Sequence, residues 1–171
     1  MENKYKVIRF VAYIIEIIIF FSIQQTPNLL PFIYGAKPLL LIPILVNIAL
    51  FEDEMIGLWF GVFIGFLMDF GFSNILGFNC IILAICGCIL GLMSVNLIKV
   101  NLLTSTISVI SVAVIVYSLQ FVFFYLLRMY GANDYMMLYH YLPRLGYTVL
   151  VSPIFYFLNK VIAIQIRPKD S

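Results

Sequence analysis

The stretch GLWFGVFIGFLMD, residues 57–69, decides how this chain is read. Gly57, Gly61 and Gly65 recur at every fourth position and the series ends on Asp69, so three residues without side chains and one carboxylate share one helix face. Every other residue in the stretch is apolar, and a helix that is apolar all round has no side to turn toward water. Glycine inside a water-exposed helix costs about 1 kcal/mol relative to alanine. Repeated at this spacing it is characteristic of helices that approach one another closely in lipid.

The rest of the chain agrees with that medium. Of 171 residues, 64% are hydrophobic and 11% charged, against about 25% charged in soluble domains. The mean hydropathy is +1.09, more apolar surface than one water-surrounded core could hide, so the chain is read as an all-α polytopic membrane protein. A net charge of +2, scattered between apolar runs, forms no stripe that could track phosphates, which excludes nucleic acid as a partner. Cys80, Cys86 and Cys88 lie in one apolar run and read as small core residues, not as a disulfide or zinc framework.

Six transmembrane helices are predicted, at 7–24, 38–51, 55–70, 76–97, 102–127 and 141–164, within a single transmembrane domain over 1–171. Lys4, Lys6 and Arg9 give the first span the charged start of a secretory signal. Gln24, Gln25, Thr26 and Pro27 stand where a small-residue cleavage site would be, and Glu16 interrupts the apolar run, so the span is expected to remain uncleaved. The second span carries Pro31, Pro38 and Pro43. A helix from Pro38 to Phe51 would reach only about 21 Å of a core about 30 Å thick, so an irregular approach around Leu29 to Ala36 should supply the rest, shielded by protein.

Orientation follows from Lys and Arg near span ends. One side holds Lys4, Lys6, Arg9, Lys99, Lys160, Arg167 and Lys169, the other Lys37, Arg128 and Arg144, which predicts that both termini are cytoplasmic. The Glu52 to Glu54 turn then lies inside.

Two faces of small residues stand out. On the third span, Gly57, Gly61 and Gly65 leading to Asp69 form either a dock for a neighbouring helix or ordinary packing within the bundle. On the fourth, Gly77, Cys80, Ala84, Gly87, Gly91 and Ser94 make a fuller seam, expected to pack internally and to leave the third-span face spare for a partner's helix. The fifth span repeats the pattern weakly with Thr104, Ser108, Ser111 and Ser118. Glu16 lies mid-span with Tyr13 and Arg9 on the same side. A bare charge there costs roughly 2.5 to 3.5 kcal/mol, so it should be protonated or paired, as a hydrogen-bonded helix contact or, in a transporter, as a proton or cation site. Asn47 and Asn79 are expected to cross-link helices.

Constellations for chemistry are missing from the sequence. His140 is the single histidine and has no neighbouring second ligand, so no metal is expected. The turn Gly71-Phe72-Ser73-Asn74-Ile75 lacks the last glycine of a nucleophile elbow. The chain reads as a non-enzyme without a cofactor.

One resemblance covers nearly the whole chain. Pro38-Leu-Leu-Leu opening a short second span, then Gly57, Gly61 and Gly65 leading to Met68-Asp69-Phe70-Gly71, then Ile75-Leu76-Gly77-Phe78-Asn79 and a span ending near Gly87 and Gly91, resembles the MreD family of bacterial rod-shape-determining membrane proteins. Lys37 stands where the family more usually has Arg. The resemblance implies a subunit of the cell-elongation machinery (elongasome) in the bacterial inner membrane, binding MreC. Through it the chain would help couple MreB filaments to peptidoglycan synthesis by RodA and its class B transpeptidase. It also implies a compact bundle similar to the substrate-binding components of energy-coupling-factor vitamin transporters, which supplies the alternative function, substrate binding for a small-molecule transporter. The first span is bulky except for Ala12 and Ser22, which argues against the docking of a transport module.

Overall fold

The computed structural model describes residues 2–26, 39–72, 77–96, 99–123 and 134–165, and these form an all-helical protein. Six helices run through them: α1 (Glu2–Gln25), α2 (Leu41–Phe51), α3 (Glu54–Phe72), α4 (Phe78–Asn96), α5 (Leu102–Phe121) and α6 (Asp134–Gln165). Five are long and apolar enough to cross a membrane, and α2 is the exception. The expected approach over 29–36, Lys37, Pro38, the 73–76 part of the turn after Gly71, and Arg128 lie outside the described residues, as does the side chain of His140.

The short helix is the centre of the bundle. Residues Leu41 to Leu50 are all buried, and α2 packs against each of the other five helices. It carries no charge on any side, so it can sit where every direction is protein. Its 11 residues rise about 16 Å, less than the expected 38–51 span would give. Pro43 falls in the first turn, where backbone N–H groups have no intrahelical partner anyway, so the ring costs the helix no bond. Neighbouring helices satisfy the free donors before it: Leu40 N donates to Gln24 Oε1 on α1 at 3.0 Å, and Leu39 N to Thr148 Oγ1 on α6 at 3.3 Å.

At the other end of α2 the Glu52 backbone is extended, and Asp53 O accepts from Ile56 N and Gly57 N to start α3 within two residues. So tight a turn makes α3 antiparallel to α2. The α6 helix is longer than the expected 141–164 span and contains Pro143 and Pro153, which membrane helices tolerate where neighbours shield the freed backbone groups.

The outward faces identify the solvent. Ile8, Ile15 and Ile19 on α1, Trp59, Phe66 and Phe70 on α3, Ile81, Ile85 and Ile89 on α4, and Leu150, Ile154 and Phe157 on α6 are all exposed. Their spacing of three, four or seven puts each set on one helical stripe. Apolar stripes all around a protein are a lipid-facing surface.

Candidate functional site

The two small-residue faces meet each other. A Cβ built on Gly57 would stand 2.5 Å from the Gly87 carbonyl oxygen, and one on Gly87 would strike the Gly57 carbonyl in return. Gly61 lies against Leu83 O and the Ala84 backbone, Gly65 against the backbone of Asn79 and Cys80, and Gly91 against Glu54. Cys80 Sγ reaches Val62 O at 3.5 Å, and Ser94 Oγ donates to Leu50 O at 2.5 Å. The expectation of a spare third-span face is therefore corrected: Gly57, Gly61 and Gly65 are covered by α4. The reason is mutual, since a backbone can approach a glycine closely only where its own side chains are also small. Gly77 is corrected as well. Nothing lies within 4 Å of a Cβ there, and its φ of +94° shows that glycine is needed for the turn and not for the seam.

That turn explains Asp69. A glycine before α4 has no side chain to cap the helix, and the carboxylate at the end of α3 does so instead. Asp69 Oδ2 accepts from Gly77 N at 2.8 Å and Cys80 N at 3.3 Å; Oδ1 accepts from Asn79 N at 3.1 Å and Asn79 Nδ2 at 2.9 Å. Four donors fill the acceptor capacity of a carboxylate, at the end of a helix where negative charge is favoured. Asn79 passes the link onward, its Oδ1 accepting from Gln120 Nε2 on α5 at 2.9 Å. Asp69 and Asn79 are both 1% exposed, so one buried node ties α3, α4 and α5 at the same level.

Three further links cross the bundle. Asn47 Nδ2 donates to Pro43 O within α2 while its Oδ1 accepts from Ser105 Oγ on α5 at 2.6 Å. Arg9 on α1 forms an ion pair with Glu52 at 3.2 Å, and Tyr13 Oη donates to the same carboxylate at 3.1 Å. Glu16, although on the stripe with Arg9 and Tyr13, accepts instead from Asn159 Nδ2 on α6 at 3.0 Å. Sequence reasoning missed Glu52, Ser105, Gln120 and Asn159. Glu52 reads in the sequence as one residue of an acidic turn between spans, and the others are lone polar residues with no local spacing that announces a partner. Of the expected hydroxyls, Ser111 back-bonds to Ile107 O and Thr104 to Lys99 O.

The family model of the rod shape-determining protein MreD matches residues 4–161. The chain belongs to the MreD family. No curated protein and no solved structure matches it. Membership makes it a rod-shape-determining membrane protein, and MreD is a family of shape-determining proteins, not one of known enzymes.

In this MreD chain the polar side chains just described hold helices together. The space between α4 and α5 is a groove of about 480 Å³, lined chiefly by apolar residues such as Ile89, Leu90, Ile107 and Val112, with Cys86 and Ser108 among them. Chemically the arrangement positions helices; it assembles no nucleophile, base or metal ligand set among the described residues.

Proposed function

We propose that this protein is a non-enzymatic scaffold subunit of the elongation complex in the bacterial cytoplasmic membrane. In this reading both termini are cytoplasmic and the chain binds MreC. It helps to couple MreB filaments to peptidoglycan synthesis, reaching MreB, RodA and its class B transpeptidase indirectly. The observation that carries this is the family match over 4–161, joined to a bundle whose buried polar groups link helix to helix. The likeness to energy-coupling-factor substrate-binding components belongs to the same proposal, supported by the six helices among the described residues, one of them short.

Affinity isolation from gently solubilised membranes tests it. A single-span periplasmic partner should co-purify in the amount expected of a stable complex, and loss of the protein should round the cells. Recovery of the protein alone, with rod shape intact in its absence, would refute the proposal. Saturable binding of a vitamin to the purified protein would favour transport instead.

A further inference from the structure

The buried Glu16–Asn159 contact is incomplete in a way that specifies what completes it. Glu16 lies two-thirds of the way along α1 and is 5% exposed; Asn159, on α6, is fully buried. Asn159 Nδ2 donates one hydrogen to Phe155 O at 3.0 Å and the other to Glu16 Oε1 at 3.0 Å. Both donors of the amide are thereby used. They also fix its orientation, because a flipped amide would turn its oxygen onto the Phe155 carbonyl. What remains is Glu16 Oε2 and Asn159 Oδ1, two acceptors without a hydrogen-bond partner among the described residues.

Two acceptors cannot satisfy one another, and in a bundle surrounded by lipid no bulk water makes up the loss. We infer that Glu16 and Asn159 form a proton-binding site: one proton on Glu16 Oε2 turns that oxygen into a donor toward Asn159 Oδ1, closing a two-bond ring of acid and amide that clasps α1 to α6. Two oxygens are too few to replace the hydration shell of a metal cation.

The charged groups on the surrounding elements do not compete for this role. On α1 itself, Arg9 is paired with Glu52, and the Tyr13 hydroxyl donates to Glu52. Helix α2 carries no charge, and its Asn47 is engaged with Pro43 and Ser105. The carboxylates of α3, Glu54 and Asp69, lie toward its two ends. On α6 the neighbouring Lys160 places Nζ over the Tyr156 ring at 5.6 Å.

The clasp has both bonds while the proton is bound and loses one when alkali removes it, so its contribution to stability falls as pH rises. Infrared spectroscopy of the whole protein in lipid at neutral pH is the test. The spectrum should contain the carbonyl band of a protonated carboxylic acid, moved by glutamate carrying a heavy carboxyl carbon and removed by Glu16→Gln. Asn159→Leu should shift that band to the position of an acid without a hydrogen-bond partner. Glu16→Gln can make both bonds through its amide, so it should melt like the wild type and lack the wild type's loss of stability in alkali. The inference is overturned if neither heavy glutamate nor Glu16→Gln touches an acid band. It is equally overturned if wild-type melting follows sodium or potassium concentration through Glu16. A wild-type spectrum with no acid band moved by the label overturns the inference even where a variant does not fold.

Discussion

Placing a methyl group at Gly57 tests whether α3 and α4 are in backbone contact. In Gly57→Ala the new Cβ would stand 2.5 Å from the Gly87 carbonyl oxygen, about 0.9 Å short of the 3.4 Å at which ordinary contact begins. The obstacle is backbone on a well-bonded helix, so no side chain can rotate away and the helices must part. A gap of 0.5–1 Å forfeits about a quarter to a half of each contact's dispersion energy, and overpacking of this kind costs about 1–3 kcal/mol. Alanine returns about 1 kcal/mol through its better helix propensity, leaving a net loss of up to about 2 kcal/mol. Gly146→Ala on α6 is the internal control. Nothing lies within 4 Å of a Cβ there, so only the propensity gain should appear.

Equilibrium unfolding in mixed micelles can follow both, using the single tryptophan, Trp59, which α3 itself carries. Gly57→Ala should be less stable than the wild type and Gly146→Ala more stable. Because Gly57 and Gly87 obstruct each other, one separation relieves most of both clashes, and the Gly57→Ala/Gly87→Ala pair should cost less than the sum of its parts. By the same geometry Gly61→Leu and Gly87→Leu should both deplete folded protein. If Gly57→Ala behaved like Gly146→Ala, or if Gly61→Leu released a partner while leaving the fold intact, the seam would not be internal and the reasoning would fail.

Two other expectations follow from the polar node and the charge distribution. Asp69→Asn keeps one acceptor oxygen but turns an amino group toward backbone N–H donors, so it should lose about 1–3 kcal/mol, with Asp69→Leu losing more; protein level and shape complementation measured together would show the order, and equal loss would point to a role for the charge itself. For orientation, an impermeant thiol reagent applied outside should label Asn133→Cys and spare Asn101→Cys in a background without the native cysteines, and the reverse pattern would invert the topology.

Much of the fold was legible because lipid imposes a simple rule. Runs of apolar residues about 20 long must be helices, and the Glu52–Glu54 turn and Lys99 interrupt them where the chain has to bend. The centrality of α2 was not legible. Its prolines and its shortness announce irregular geometry, but only three-dimensional packing shows that a helix too short to span can be surrounded by five others. Glu52 escaped notice for a related reason: nothing in an acidic turn between spans names a partner, and Arg9 and Tyr13, some forty residues away, draw one of its carboxylates into the bundle.

The glycine faces show where sequence reasoning reaches its limit. A four-residue glycine repeat states that some backbone comes close, and nothing in it names that backbone. With a small-residue face on each of two consecutive spans, the sequence allows two internal seams, one seam and one dock, or a single seam shared by both. Only the last satisfies each face with the other, and the packing of α4 along α3 is what brings them together. Asp69 adds a register to that choice. Its four bonds to Gly77, Asn79 and Cys80 fix where α4 begins against the end of α3, and from that fixed point the antiparallel helices bring Gly65 to Cys80, Gly61 to Ala84, Gly57 to Gly87 and Glu54 to Gly91 in turn. The carboxylate and the glycines are therefore one device: the first sets the alignment, and the second lets the aligned backbones close.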